Sequence, residues 1–277
     1  MTGAQRVSAA QVERLTGLLG PRDWRILEDL RRVRVLTGSQ LDRLHFADIA
    51  PTARGRVRRR TMSQLVQRRA VTSLERRVGG VRAGSDGLIF CLDTAGTRVL
   101  ERRQTATGQP AEGGRARRPR TPRPLFLAHA LAGSDLYVSL RETERQTPGL
   151  TIEAFDAEPA CWWPAGADNW LKPDAYVALA TEQFIDHTWV EVDRATESLP
   201  TLHRKLLTYV SFVNRGGLGP GGVVPGVLVT VPDDARAELI RSAARRLPEP
   251  GPELVTVVLH DEAARLLTAN IVPETTL

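Results

Sequence analysis

Residues 54–92 read RGRVRRRTMSQLVQRRAVTSLERRVGGVRAGSDGLIFCL, and their pattern decides the front half of the chain. Over 54–70 the apolar residues Val57, Met62, Leu65 and Val66 gather on one side of a helix, with Arg54, Arg56, Arg58, Arg59, Arg60, Gln64, Arg68 and Arg69 around them. A helix docked by one apolar stripe and carrying guanidinium groups elsewhere suits insertion into a DNA groove. A solvated basic face is the plainer alternative. Val71 then opens an extended run, glycines at 79–80, 84 and 87 mark turns, and Leu88-Ile89-Phe90-Cys91-Leu92 forms a second strand. Arg82 lies in the wing between these strands and joins the candidate DNA contacts.

Upstream, Asp23 starts a helix whose stripe is Trp24, Ile26, Leu27, Leu30 and Val33. Val35-Leu36-Thr37 is a brief extended piece capped by Thr37, and Leu41, Leu44 and Phe46 give a shorter helix. Helix, short helix, basic helix and two strands in that order predict a winged-helix DNA-binding domain over 21–100, preceded by an arm at 1–20. Residues 101–124, ERRQTATGQPAEGGRARRPRTPRP, have no hydrophobic period and are rich in Arg, Pro and Gly, which predicts a linker.

The net charge of +6 conceals an asymmetry. Residues 1–100 hold 19 Arg against 9 acids, and 101–124 hold 7 against 2, whereas 125–277 hold 12 basic residues against 21 acids. A basic front half fits phosphate neutralisation, and an acidic rear half repels DNA except where a cation intervenes. Of 38 basic residues only Lys172 and Lys205 are lysines, so these two compact ammonium groups stand out. Cys91 and Cys161 are far apart with no paired spacing, which predicts two reduced, buried thiols rather than a zinc site or disulfide framework. No leader-like segment and no apolar run near the roughly 18 residues of a bilayer span is present, so a cytoplasmic protein without membrane contact is expected.

From 125 onward the pattern alternates. Helices are predicted at 126–144, 198–213 and 235–246, and strands at 150–155, 175–180, 187–192, 227–231 and 254–260, with a flexible Gly-rich loop at 216–222. The whole chain is therefore α+β, with an α/β domain over 125–277. Lys172-Pro173-Asp174 opens one strand and Glu191-Val192-Asp193 closes the next. Residues i and i+2 of a strand share a face, so Glu191 and Asp193 project together and Asp174 joins them if the strands pair. Three converging carboxylates would suit Mg²⁺ or Mn²⁺. Asp193 with Thr196 equally suits a cap on the following helix.

These residues carry a resemblance. Pro173-Asp174 followed by Glu191-x-Asp193 in an α-β-β-β-α-β core resembles the PD-(D/E)xK, or restriction-endonuclease-like, nucleases. More closely, the chain from about 21 to 260 is similar to the replication-relaxation family, related to MobC-type relaxases that mobilise plasmids. The matching stretches are Leu92-Asp93-Thr94-Ala95-Gly96, His129 to Leu140 (HALAGSDLYVSL), Lys172-Pro173-Asp174, Glu191 to Ser198 (EVDRATES) and Lys205-Leu206-Leu207-Thr208-Tyr209. The resemblance implies a DNA-processing protein of a plasmid or mobile element. It implies a candidate catalytic set of Asp174, Glu191, Asp193, Lys205 and Lys172, with the three acids holding the metal. The nuclease pattern places a lysine where this chain has Asp193, and Lys205, one helix later, is the expected substitute. Lys172 is expected to steady a phosphate oxygen. The alternative is a non-catalytic DNA-binding regulator or replication accessory whose rear domain serves self-association, as in a homodimer on double-stranded DNA.

Overall fold

The computed structural model describes residues 7–77, 87–106, 124–166 and 169–272, and the chain divides into two compact units, Met1–Ser134 and Asp135–Leu277. In the first unit, α1 (Ala9–Leu18) starts at Ser8, whose hydroxyl accepts the Gln11 N–H. Then α2 (Pro21–Val33) begins with proline in its first turn, and the Asp23 carboxylate takes the Gly20 N–H at 3.0 Å. Its buried stripe is Ile26, Leu27, Leu30 and Val33. After β1 (Leu36–Thr37), Thr37 and Gln40 form a reciprocal cap that opens α3 (Gly38–His45). Next come α4 (Pro51–Gln67), β2 (Val71–Arg77), β3 (Leu88–Leu92) and α5 (Thr94–Ala106). The strands form an antiparallel sheet in the order β1-β3-β2.

The expected helix at 54–70 is observed three residues earlier. Arg68 caps it, and Arg69 at φ 57 turns the chain into β2. The β3–α5 corner depends on Gly96, because the Asp93 N–H bonds Ala70 O at 3.0 Å and brings the two backbones together. A Cβ on Gly96 would lie 2.1 Å from that carbonyl oxygen, so only glycine fits. The linker read at 101–124 is shortened, since α5 continues to Ala106 and α6 (Pro124–Gln146) starts at Pro124. Arg82 and the wing turns, like residues 107–123, lie outside the described residues. The boundary between units falls inside α6 rather than ahead of it. Leu127 and Leu131 of that helix complete the cluster of Val35, Leu74, Ile89 and Cys91 in the first unit, so apolar burial sets the boundary there.

The second unit continues from α6 through β4 (Thr151–Ala157), β5 (Trp163–Pro164), β6 (Trp170–Leu171), β7 (Ala175–Ala180) and β8 (Ile185–Val192). It finishes with α7 (Leu199–Asn214), β9 (Gly226–Val231), α8 (Asp234–Ala244), α9 (Gly251–Leu254), β10 (Val255–Leu259) and α10 (Ala263–Ala269). Five strands form one mixed sheet in the order β10-β9-β8-β7-β4, and β5 pairs with β6 alone. Neighbours β4, β7 and β8 are antiparallel, whereas β8, β9 and β10 run parallel. Every residue of β7 is buried, as its continuous apolar run requires of a central strand. Trp189, Tyr209, Phe212 and Val229 pack together on the sheet face covered by α7.

The Gly-rich loop at 216–222, expected to be flexible, is mostly exposed and is tied to its surroundings at defined points. The Trp163 indole N–H donates to Leu218 O at 3.0 Å. Gly221, at φ 74, leaves no room for a Cβ, which would meet the His187 ring at 2.7 Å. Both the positive φ and the close approach of the His187 ring call for glycine there.

Candidate functional site

The alternation of β8 puts Trp189, Glu191 and Asp193 on the face toward α7, with Trp189 in the core and the two acids at the carboxyl end of the strand. Since Ala175 pairs with Val190, Asp174 lies just past the end of that ladder and beside Glu191. Its Oδ2 accepts the Val192 N–H at 2.7 Å, which fixes the carboxylate across the strand end. Above them, Lys205 and Tyr209 stand one turn apart on α7. The Lys205 ammonium contacts Glu191 Oε2 and lies 3.4 Å from Asp174 Oδ1, while the Tyr209 hydroxyl donates to Glu191 Oε1.

Glu191 is 2% exposed. Burial and the neighbouring Asp174 charge raise its pKa well above the usual carboxylate value, partly opposed by Lys205 and the two hydrogen bonds. Burial opposes charge on Lys205, but Glu191 and Asp174 outweigh it and hold the pKa above that of a free lysine. Tyr209 is pushed well up by burial and then by Glu191, so it remains a donor. The result is a niche in which one ammonium and one phenol serve two acids.

Asp193 does not join it. Both its oxygens are engaged by Arg236 of α8, at 2.5 Å to Nε and 3.1 Å to the terminal nitrogen, and Arg236 also bonds Glu197 O at 2.8 Å. That pairing corrects the expected three-acid site: among the described residues no group of three or more His, Cys, Asp and Glu is placed to hold a metal. The donor chemistry nevertheless suits a cation at a smaller site, because Asp174 and Glu191 already converge on a positive group. Lys172 is placed differently from Lys205. It is exposed, and its ammonium lies 4.9 Å from the centre of the Trp162 ring, held by the indole face. Both cysteines are buried and free, and burial pushes the Cys91 thiol up to about 11.

On the first unit, α4 sorts its arginines. Arg58, read as a DNA contact, is 1% exposed and belongs to the interior. Its guanidinium bonds Gly38 O at 2.7 Å and Asp42 at 2.5 Å, tying α4 to α3. Arg54 turns back onto Ala47 O and Ile49 O, and Arg68 reaches Leu18 O at 3.3 Å. Arg69 lies 3.9 Å from Asp93. The exposed stripe is Arg56, Arg59, Arg60, Ser63, Gln64 and Gln67. No Asp or Glu occurs anywhere in α4.

The profile of the replication-relaxation family matches residues 27–227, a span that takes in α4, Asp174, Glu191, Asp193 and Lys205. The chain belongs to the replication-relaxation family. No curated protein and no solved structure matches it. Membership places the function of this replication-relaxation protein in replication. Among its described residues no helix is long and apolar enough to cross a membrane.

In this replication-relaxation protein, sequence reasoning passed over Tyr209, Arg236, Ser63 and Gln67 as functional positions. Tyr209 had a usable signal, its four-residue spacing from Lys205 on one helix. Ser63 and Gln67 follow Arg56 and Arg60 at helical spacing. Arg236 had none, because 43 residues separate it from Asp193.

Proposed function

We propose that this protein binds duplex DNA during replication of a plasmid or other mobile element, with its first unit acting as a winged-helix domain and α4 as the recognition helix. The observation that carries this is the outward stripe of α4, three guanidinium groups followed by hydroxyl and amide groups on a helix with no acid. Arginines in the first turns oppose the helix dipole, and Arg56 and Arg60 repel each other at i,i+4. A phosphate backbone offsets both costs. The order α2, β1, α3, α4, β2, β3 and the sheet order β1-β3-β2 support the same reading.

Titration of duplex DNA against the chain at several salt concentrations tests it. Arg56→Ala with Arg60→Ala should weaken binding and reduce the slope of log affinity against log salt by about 1.8, the loss of two phosphate contacts. An unchanged slope removes α4 from the interface.

A second reading is favoured by Lys205 lying between Asp174 and Glu191. In it the second unit nicks DNA with Mg²⁺ or Mn²⁺. The run α6, β4, β7, β8, α7, β9 supports a restriction-endonuclease-like core. A divalent ion held by Asp174 and Glu191 would supply an activated water there. Lys205 would orient the nucleophile, and Tyr209 would fix Glu191. Supercoiled plasmid should then relax only when Mg²⁺ or Mn²⁺ is present, and Asp174→Asn should abolish relaxation while duplex binding survives. If the wild-type chain leaves plasmid supercoiled, the second unit is accessory and self-association becomes its role, readable by sedimentation.

A further inference from the structure

We infer that the β5–β6 hairpin and the segment after it bind an unpaired DNA strand, which stacks a base on Trp170 and sets a phosphate on Lys172. This goes beyond duplex recognition by α4 and rests on the reading of the chain as a DNA-binding protein. From 170 to 174 burial alternates: Trp170 and Lys172 are exposed, Leu171 and Pro173 are buried, and Asp174 is partly exposed. Proline disfavours helical backbone at the residue before it, so Lys172 is held extended and successive outward side chains stand roughly 6–7 Å apart. An indole, an ammonium and the Asp174 carboxylate are thereby set in a row leading toward Glu191 and Lys205.

Two observations and the requirements of base stacking identify the occupant. Trp170 is 52% exposed although Leu171, its neighbour, is 1% exposed, so a large apolar ring is kept in water beside a well-packed anchor. Two cations belong to this region in a half of the chain that carries nine more acids than bases: Lys172, braced on Trp162, and Arg215, whose guanidinium bonds Ala165 O at 3.2 Å just after β5. Lys172 and Arg215 offer cationic contacts to a polyanion. In duplex DNA the base faces are already stacked, so only an unpaired base can cover the indole, and such stacking is tolerant of sequence.

The test uses the full chain carrying Arg56→Ala and Arg60→Ala, which weakens the α4 interface, and a short fluorescein-labelled oligothymidine. Oligothymidine should bind and quench tryptophan emission. Trp170→Ala should weaken that binding about tenfold, Trp170→Phe should keep most of it, and Lys172→Ala should lower the salt slope by about 0.7. Because Trp170 and Lys172 are exposed, thermal unfolding should not change. If oligothymidine binds equally well in all three variants, or does not bind while the wild-type chain still binds duplex, the inference is overturned and the α4 reading stands. Failure of the wild-type chain to bind either DNA overturns both.

Discussion

Lys205→Met should destabilise the chain by about 3–5 kcal/mol at pH 8, because it leaves Glu191 buried without its positive partner. The loss should shrink as the pH falls. Burial and Asp174 raise the Glu191 pKa above its ordinary 4.5, so the folded state binds the proton more tightly than the unfolded state does. Such a group favours folding fully below about 4.5 and loses that contribution as pH rises through the folded pKa. Removing the ammonium takes away a major group opposing that rise, so the variant should approach wild type in acid and diverge from it in base. Thermal unfolding at pH 5 and pH 8 reads the difference. An equal loss at both would show that the ammonium does not act through the charge on Glu191.

Arg58→Ala should lower stability by about 3 kcal/mol, roughly 10 °C in Tm for a chain of this size. The guanidinium is interior, and its removal breaks bonds to Gly38 O and Asp42 while opening a cavity between α3 and α4. Paired substitution of Arg56 and Arg60 should do the reverse: unfolding unchanged and salt dependence of DNA binding reduced. A stable Arg58→Ala protein that binds DNA poorly would return Arg58 to the interface.

The sequence contained the means to separate these arginines. Arg58, Met62 and Leu65 recur at i, i+4 and i+7 and all three are buried, so Arg58 lies on the docking face. A guanidinium ordinarily faces solvent, which is why Arg58 groups with the outer arginines when only the apolar residues are counted in the stripe. The identity of its partner was not legible, since Asp42 belongs to another helix. In the second unit, the apolar run of β7 gave its bounds directly, and the two-residue period placed Glu191 and Asp193 on one face. Their separation into different ion pairs depends on α7 and α8, and no local pattern encodes it. Strands β5 and β6 are two residues each, too short for any alternation to appear.

The Asp193–Arg236 pair bears on the evolutionary history open to this chain. A lysine placed at 193 would sit at contact distance from Arg236, two cations in a place where Asp193 is 6% exposed. Changing Arg236 first would instead strand the buried Asp193 carboxylate. Neither half of the pair can therefore be exchanged alone without cost, and relatives of this chain should vary at 193 and 236 together or not at all.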